Sequence, residues 1–329
     1  MAVLVTGGAG YIGSHTVAEL IALGEEVVVV DSLETGHRDS LLGGTLEVGD
    51  IRDRTFMDGV FKKHNIESVI HFAAYSLVGE SMSNPVKYYD NNVHGTLVLL
   101  DAMKDNGVKR IVFSSTAATY GEPERTPIVE SDRTNPTNVY GETKLTMERM
   151  MRWFDVAYGI KYVALRYFNA AGAHESGLIG EDHRPESHLV PLILQTAQGK
   201  RDEIAVFGND YPTPDGTCIR DYIHVSDLAD AHVLAVKYMR AGGDSDVFNL
   251  GNGQGFSVLE VIQTAEQVTG RAINSVIRER RAGDPAILIA SADKAKQVLG
   301  WQPKRDRLEQ IVESAWRWHE SHPNGYVEL

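Results

Sequence analysis

Cysteine is almost absent from this chain: Cys218 is the single one among 329 residues. One thiol cannot close an intramolecular disulfide, so a disulfide-stapled fold is excluded and a reducing, cytoplasmic setting is expected. No run of about twenty apolar residues occurs, so nothing reads as a membrane span. The first apolar run starts directly after Met1, which leaves no room for a secretory leader ahead of it. Positive charge is scarce too. Lys and Arg number 32 against 45 Asp and Glu, a net −13. That balance argues against nonspecific nucleic-acid binding and requires local donors for any anionic ligand. Repeats and low-complexity stretches are missing. Among the twelve histidines neither H-E-x-x-H nor Cys/His ligand spacing is found, so no metal site is expected. His319 and His322 read as solvated residues of a polar C-terminal tail. The length suffices for two domains, or for one large α/β body with an appendage.

Glycine, by contrast, is plentiful, and Gly7, Gly10 and Gly13 directly follow the apolar run Val3-Leu4-Val5. A strand entering a helix through such a turn lets the backbone approach a pyrophosphate, which free N–H groups at the helix start then hold. The G-x-x-G-x-x-G spacing departs from G-x-G-x-x-G and speaks against dehydrogenases of the lactate type. A second strand ends at Asp31, eighteen residues beyond Gly13. An acidic side chain there accepts both hydroxyls of an adenosine ribose and repels a 2′-phosphate, which selects NAD over NADP.

β-branched runs at 2–6, 26–30, 45–48, 68–72, 109–114 and 161–167 alternate with helical patterns. They read as βαβ units around a parallel sheet. The expected fold is α/β, a Rossmann-like doubly wound parallel sheet with a smaller α/β substrate-binding domain. Residues 1–172 would form the NAD-binding domain, rejoined by 223–252, and 173–329 mainly the other. Long helices are expected at 85–104 and at 138–158, the latter with Asn138 as N-cap. Tyr140 and Lys144 lie one turn apart on the same side of that helix, the chain's only Tyr-x-x-x-Lys pair. A phenol ionises near pH 10. A neighbouring ammonium and a cationic nicotinamide both favour the phenolate, so Tyr140 could take a proton from an alcohol as hydride leaves its carbon. Lys144 should also reach the nicotinamide ribose. Thr116, closing the strand that carries Ser114 and Ser115, would meet the same sugar hydroxyl.

Longer runs extend the pattern: Val5-Thr6-Gly7-Gly8-Ala9-Gly10-Tyr11-Ile12-Gly13-Ser14-His15, His71-Phe72-Ala73-Ala74, Leu165-Arg166-Tyr167-Phe168-Asn169 and Arg220-Asp221-Tyr222-Ile223-His224-Val225. On these the chain resembles the extended short-chain dehydrogenase/reductase family, on its nucleotide-sugar epimerase branch, over essentially its whole length. The resemblance implies an NAD-dependent epimerase that interconverts UDP-galactose and UDP-glucose at C4 through a transient 4-keto sugar and enzyme-bound NADH. It assigns catalysis to Tyr140, Lys144 and Thr116. Around the cofactor it places Gly7, Gly10, Tyr11, Ile12, Gly13 and Asp31, with Asp50 and Ile51 at the adenine. Phe72, Ala73, Ala74 and Asn91 would line the pyrophosphate groove, and Tyr167 and Phe168 would border the nicotinamide. For the substrate it implies Asn169 at the diphosphate or sugar, and Arg220 and Arg281 as a diphosphate clamp. Asp284 would accept from the uridine ribose, and Leu189, Phe207 and Tyr222 would shape the nucleotide pocket. A homodimer seam of Val86, Val93, Leu97, Met147, Met151 and Phe154 is also implied.

Two positions depart from the family pattern, Ser76 in place of a common lysine and His188 in place of an asparagine; Leu288, of intermediate size, occupies the position whose bulk gates N-acetylated sugars. Related 4,6-dehydratases need carboxyl groups beside the threonine, where this chain has Ala117 and Ala118. A decayed, NAD-sensing regulator would have lost Tyr140 or Lys144. A plain alcohol dehydrogenase leaves Arg220 and Arg281 without a purpose.

Overall fold

Every residue of β1 (Ala2–Thr6) is buried. Val3 and Val5 join one apolar cluster while Ala2 and Leu4 join another, because successive strand side chains point to opposite faces. A strand covered on both faces belongs to a parallel sheet flanked by helices. The computed structural model, which describes residues 1–281 and 284–326, has that arrangement. Along the chain follow β2 (Val27–Asp31), β3 (Thr45–Val48), β4 (Ile66–His71), β5 (Arg110–Thr116), β6 (Lys161–Tyr167), β7 (Asn169–Ala171), β8 (Ile204–Phe207), β9 (Ile219–His224) and β10 (Asp246–Leu250). The main sheet has seven strands in the order β3-β2-β1-β4-β5-β6-β10, and each pairing is parallel. Strand order reverses beside β1. In a doubly wound sheet, ligands bind outside the carboxyl ends of the strands at that reversal.

The helices are α1 (Tyr11–Ala22), α2 (Arg54–Lys63), α3 (Val78–Ser83), α4 (Pro85–Tyr88), α5 (Gly95–Asp105), α6 (Val139–Tyr158), α7 (Leu189–Ala197), α8 (Val225–Arg240), α9 (Val258–Thr269) and α10 (Leu308–Ser321). On one face of the sheet α1 packs against α8, with Val17, Leu228 and Val236 in the core. On the other, α2, α5 and α6 supply Met57, Leu99 and Met147. Asn138 caps α6 as its sequence suggested, its side chain accepting from Gly141 N at 2.8 Å. Gly159 closes the helix at φ 66°, a conformation that favours glycine.

The helix expected at 85–104 is interrupted. Between α4 and α5 the chain makes a π-helical stretch, Tyr89–His94, a widening often found at functional sites. It delivers Asn92 inward, where Nδ2 donates to Tyr75 O at 3.1 Å and to Thr143 Oγ1 at 3.2 Å. The loop after β4 is thereby tied to α6. Met147 and Met151 are fully buried in the chain's own core, so two of the six residues assigned to a dimer seam are out of a partner's reach. Val86, Leu97, Trp153 and Val156 are exposed instead.

The remaining elements frame a second core. β7, β9, β11 (Gly255–Ser257) and β13 (Ile287–Leu288) form a small sheet, and β8 pairs with β12 (Ser275–Arg278). α7, α9 and α10 pack together over Val206, Tyr222, Ile262 and Ile311. His319 is buried rather than solvated, because α10 is covered on more than one side: Trp316 packs into this second core and Trp318 against Ala173 and Tyr326.

Candidate active site

The glycine turn leads off the end of β1 at the strand reversal. Gly7 takes φ 72°, and a Cβ there would stand 2.5 Å from Ala73 N. A Cβ on Gly13 would stand 2.2 Å from Gly7 O. These two glycines are required by the fold itself. Gly10 differs: its Cβ would meet only Gly7 O, at 3.3 Å. It is the N-cap of α1 and supplies no side-chain cap, so the first helical N–H groups are left to bind an anion. Phe72 and Ala73, just past β4, donate their N–H groups to Thr6 O at 2.8 and 3.1 Å, which sets the β4 loop against the glycine turn. Asp31 ends β2, its Oδ2 accepting from Ala9 N and its Oδ1 from Leu33 N, both at 2.9 Å. Each oxygen keeps a lone pair for a ribose hydroxyl. A glycine cradle, an open helix start and a positioned acid fit a dinucleotide.

Asp50 is more heavily engaged than expected. Arg52 donates to both of its oxygens through Nε, at 3.0 Å each, and reaches Asp90 at 2.6 Å. Ile51 is buried, and Asn91 donates to Asn92 Oδ1 at 3.0 Å. Tyr11 hands its hydroxyl to Gly172 O at 2.6 Å, and Ile12 packs on the core beneath the cradle.

At the carboxyl end of β5 the structure brings Thr116, Tyr140 and Lys144 together. Burial pushes the Tyr140 hydroxyl above its ordinary value, while a hydrogen bond with Thr116 pulls it down. Lys144 Nζ donates to Ser114 O at 2.8 Å and lies 5.9 Å from the centre of the Tyr140 ring. Burial lowers this amine to about 7, with Glu148 pulling it upward. Tyr167, hydrogen-bonded to Ser114 Oγ, and the half-buried Phe168 follow on β6 and just beyond it.

A second group gathers on the small sheet. β7 pairs with β9 so that Asn169 stands opposite Tyr222, and Asn169 Nδ2 donates to Asp221 O at 3.0 Å. Arg220 Nη2 lies 3.7 Å from the Asp284 carboxylate, and Arg281 places its guanidinium 3.9 Å over the Phe207 ring. Leu288 is in register with Arg220. Leu189 opens α7 and packs on the second core.

Residues outside the sequence reading also shape the site. Ser81 Oγ accepts from Tyr140 N at 3.1 Å and so fixes the start of α6. Under Lys144, Glu148 is clamped by Arg166 and by Ser115 Oγ. The i,i+4 spacing of Lys144 and Glu148 was a readable sign that they share a helix face. Glu181, His183, Glu186 and His188 converge as well, although no familiar ligand spacing announced them.

Comparison with known proteins agrees with this geometry. A family described as NAD dependent epimerase/dehydratase matches residues 3–251. A UDP-glucose 4-epimerase of Halalkalibacterium halodurans is 60% identical over 326 residues, covering 99% of this chain and 98% of its own. A crystal structure of a UDP-glucose 4-epimerase superposes with TM-score 0.98 at 54% identity, covering 100% of both chains. The Bifidobacterium longum UDP-glucose 4-epimerase in complex with NAD+ and UDP gives TM-score 0.94 at 43% identity, covering 99% of this chain and 100% of that one.

Proposed function

The chain belongs to the NAD dependent epimerase/dehydratase family, and we propose from that footing that it interconverts UDP-galactose and UDP-glucose by inverting C4 through a transient 4-keto sugar. Its cofactor is NAD. The observation that carries this reading is the convergence of Thr116, Tyr140 and Lys144 beside the glycine cradle, with only alanines directly after Thr116. Tyr140 Oη takes the proton of the sugar 4-hydroxyl and later returns it. Thr116, beside that phenol, holds the same hydroxyl in line. NAD in the cradle supplies a hydride acceptor and donor for C4, together with a cationic ring that lowers the raised Tyr140 hydroxyl. Lys144, pinned to Ser114 O, orients the nicotinamide ribose.

Arg220 and Arg281 clamp the substrate diphosphate, since guanidinium matches phosphate oxygens. Asp284 accepts from the uridine ribose, Asn169 meets the diphosphate or sugar, and Leu189, Phe207 and Tyr222 shape the base pocket. Gripping the nucleotide rather than the hexose leaves the keto sugar free to turn its other face, as inversion requires. Residues 1–172, rejoined by 223–252, act as the NAD-binding domain, and the rest mainly as the UDP-sugar domain. Two copies pair through the α4–α5 segment and α6 in a four-helix seam centred on the exposed Val86, Leu97, Trp153 and Val156. The setting is cytoplasmic, in keeping with the lone Cys218.

Incubation of the purified holoenzyme with UDP-galactose should give UDP-glucose without accumulation of NADH. Stoichiometric NADH would mean a dehydrogenase, and a 4-keto-6-deoxy sugar a dehydratase.

A further inference from the structure

We propose that Glu181, His183, Glu186 and His188 bind one divalent transition-metal ion of the zinc class, tying the cofactor cradle to the start of α7. The four occupy a single turn-rich stretch, yet one donor atom from each lies within 4.8 Å of every other. Around a tetrahedral zinc with bonds of about 2.0–2.1 Å, neighbouring ligand atoms stand roughly 3.3 Å apart. The observed edges bracket that value. Glu181 Oε1 is 3.2 Å from His183 Nδ1 and 2.9 Å from His188 Nδ1. Glu186 Oε2 is 3.6 Å from His183 Nδ1, while its Oε1 shares a hydrogen bond with His188 Nδ1 at 3.0 Å. Two imidazole nitrogens and two carboxylates suit zinc, cobalt or nickel. Calcium and magnesium prefer oxygen alone.

Two further observations point to a ligand. His183 Nδ1 is buried and makes no hydrogen bond, despite a carboxylate oxygen 3.2 Å away. The Glu181 and Glu186 side chains are only 4% and 6% exposed. Carboxylates so withdrawn from water need counter-charge; protonated His183 and His188 supply it in the absence of an ion, and one divalent ion balances both carboxylates in place of those two protons. Glu186 is also held in aim, its Oε1 accepting from Ser187 N at 2.7 Å and His188 N at 2.8 Å, the kind of outer support that metal ligands use.

Three parts of the chain meet there. The His183 ring meets Tyr11 of the glycine turn edge-on at 6.1 Å. His37, beyond β2, donates to Asp182 O at 3.0 Å. His188 is the N-cap of α7. The ion therefore serves architecture rather than proton transfer, and its presence is independent of the reaction assigned above.

The test takes holoenzyme freed of metal by chelator and desalting, and titrates it calorimetrically with zinc chloride. Calcium and magnesium chlorides serve as controls. One saturable zinc site per chain is expected, with X-ray absorption showing nitrogen and oxygen ligands at about 2.0–2.1 Å. Outer-sphere losses alone cost about 10–100-fold in metal affinity, so His183→Gln and Glu186→Gln should each weaken zinc by at least about 100-fold. A wild-type protein with no saturable zinc binding would overturn the proposal and leave a plain histidine–carboxylate ion-pair network. Unchanged affinity in both variants would overturn it too. If the variants do not fold, the wild-type absorption spectrum decides, and sulfur ligation or an absence of imidazole would count against the site.

Discussion

Glu148 is the position where a change of one functional group should cost most stability without removing a reacting group. Glu148 and Arg166 are each 6% exposed. They are joined by two hydrogen bonds, Nε to Oε1 at 2.9 Å and Nη2 to Oε2 at 2.5 Å, and Ser115 Oγ donates to Oε1 as well. Glu148→Gln keeps the shape, removes the charge and turns one acceptor into an amide NH2 facing donors. Deleting one partner of a buried pair costs about 3–5 kcal/mol, because the other charge stays buried. Adding Arg166→Met should restore at least about half of that loss, since it removes the buried charge that the first change leaves unpaired. The methionine sulfur can also take the place of the guanidinium now 4.8 Å over the Tyr120 ring. Urea unfolding followed by circular dichroism gives both midpoints, with unchanged slopes expected. A single variant within ~1 kcal/mol of wild type would refute the claim that this pair is dry and mutually dependent. A double variant no better than the single one would show that the loss runs through Ser115 instead.

Lys144 gives a pH-dependent prediction. Burial lowers it to about 7 from an ordinary 10.5, so between those values the unfolded chain binds a proton that the folded chain does not. Its contribution to stability therefore rises with pH across that window, and its burial cost is complete below it. Lys144→Met should melt above wild type at pH 6.5, with an advantage that shrinks towards pH 10 while activity is lost; an advantage constant with pH would exclude desolvation as the cause. Tyr140→Phe should fold and bind nucleotide but lower kcat by ~10²–10⁴-fold, and a variant keeping more than a tenth of the rate would remove Tyr140 from the acid–base role. Leu97→Glu, on the exposed face of α5, should halve the mass seen by sedimentation at micromolar concentration. A wild-type protein already monomeric under those conditions would defeat the proposed seam.

The main sheet was legible because each strand is a short β-branched run ended by a turn residue. All six expected strands lie within a few residues of β1 to β6. Asn138 announced α6 because an N-cap is a local device, decided by one side chain and one backbone N–H. What stayed hidden depends on tertiary contact. The π stretch at Tyr89–His94 exists because Asn92 bonds to Tyr75 and Thr143, remote in sequence. Met147 and Met151 could have faced either a partner or the sheet on periodicity alone. Only the packing of α5 beside α6 sends them inward. His319 looked solvated because its neighbours are polar, yet Gln198 reaches across to bond its carbonyl and the tryptophans beside it are drawn into the interior. The Tyr140–Lys144 pair could be found from spacing, whereas the depth of its burial, and so the direction of both pKa shifts, could not.

The central claim is that hydride leaves C4 and returns to the same carbon within one bound state. UDP-galactose carrying deuterium at C4 tests it directly, with the product read by proton NMR in ordinary water. The account predicts UDP-glucose that retains deuterium at C4. Product with a solvent proton at C4, or label recovered in free NADH, would contradict it.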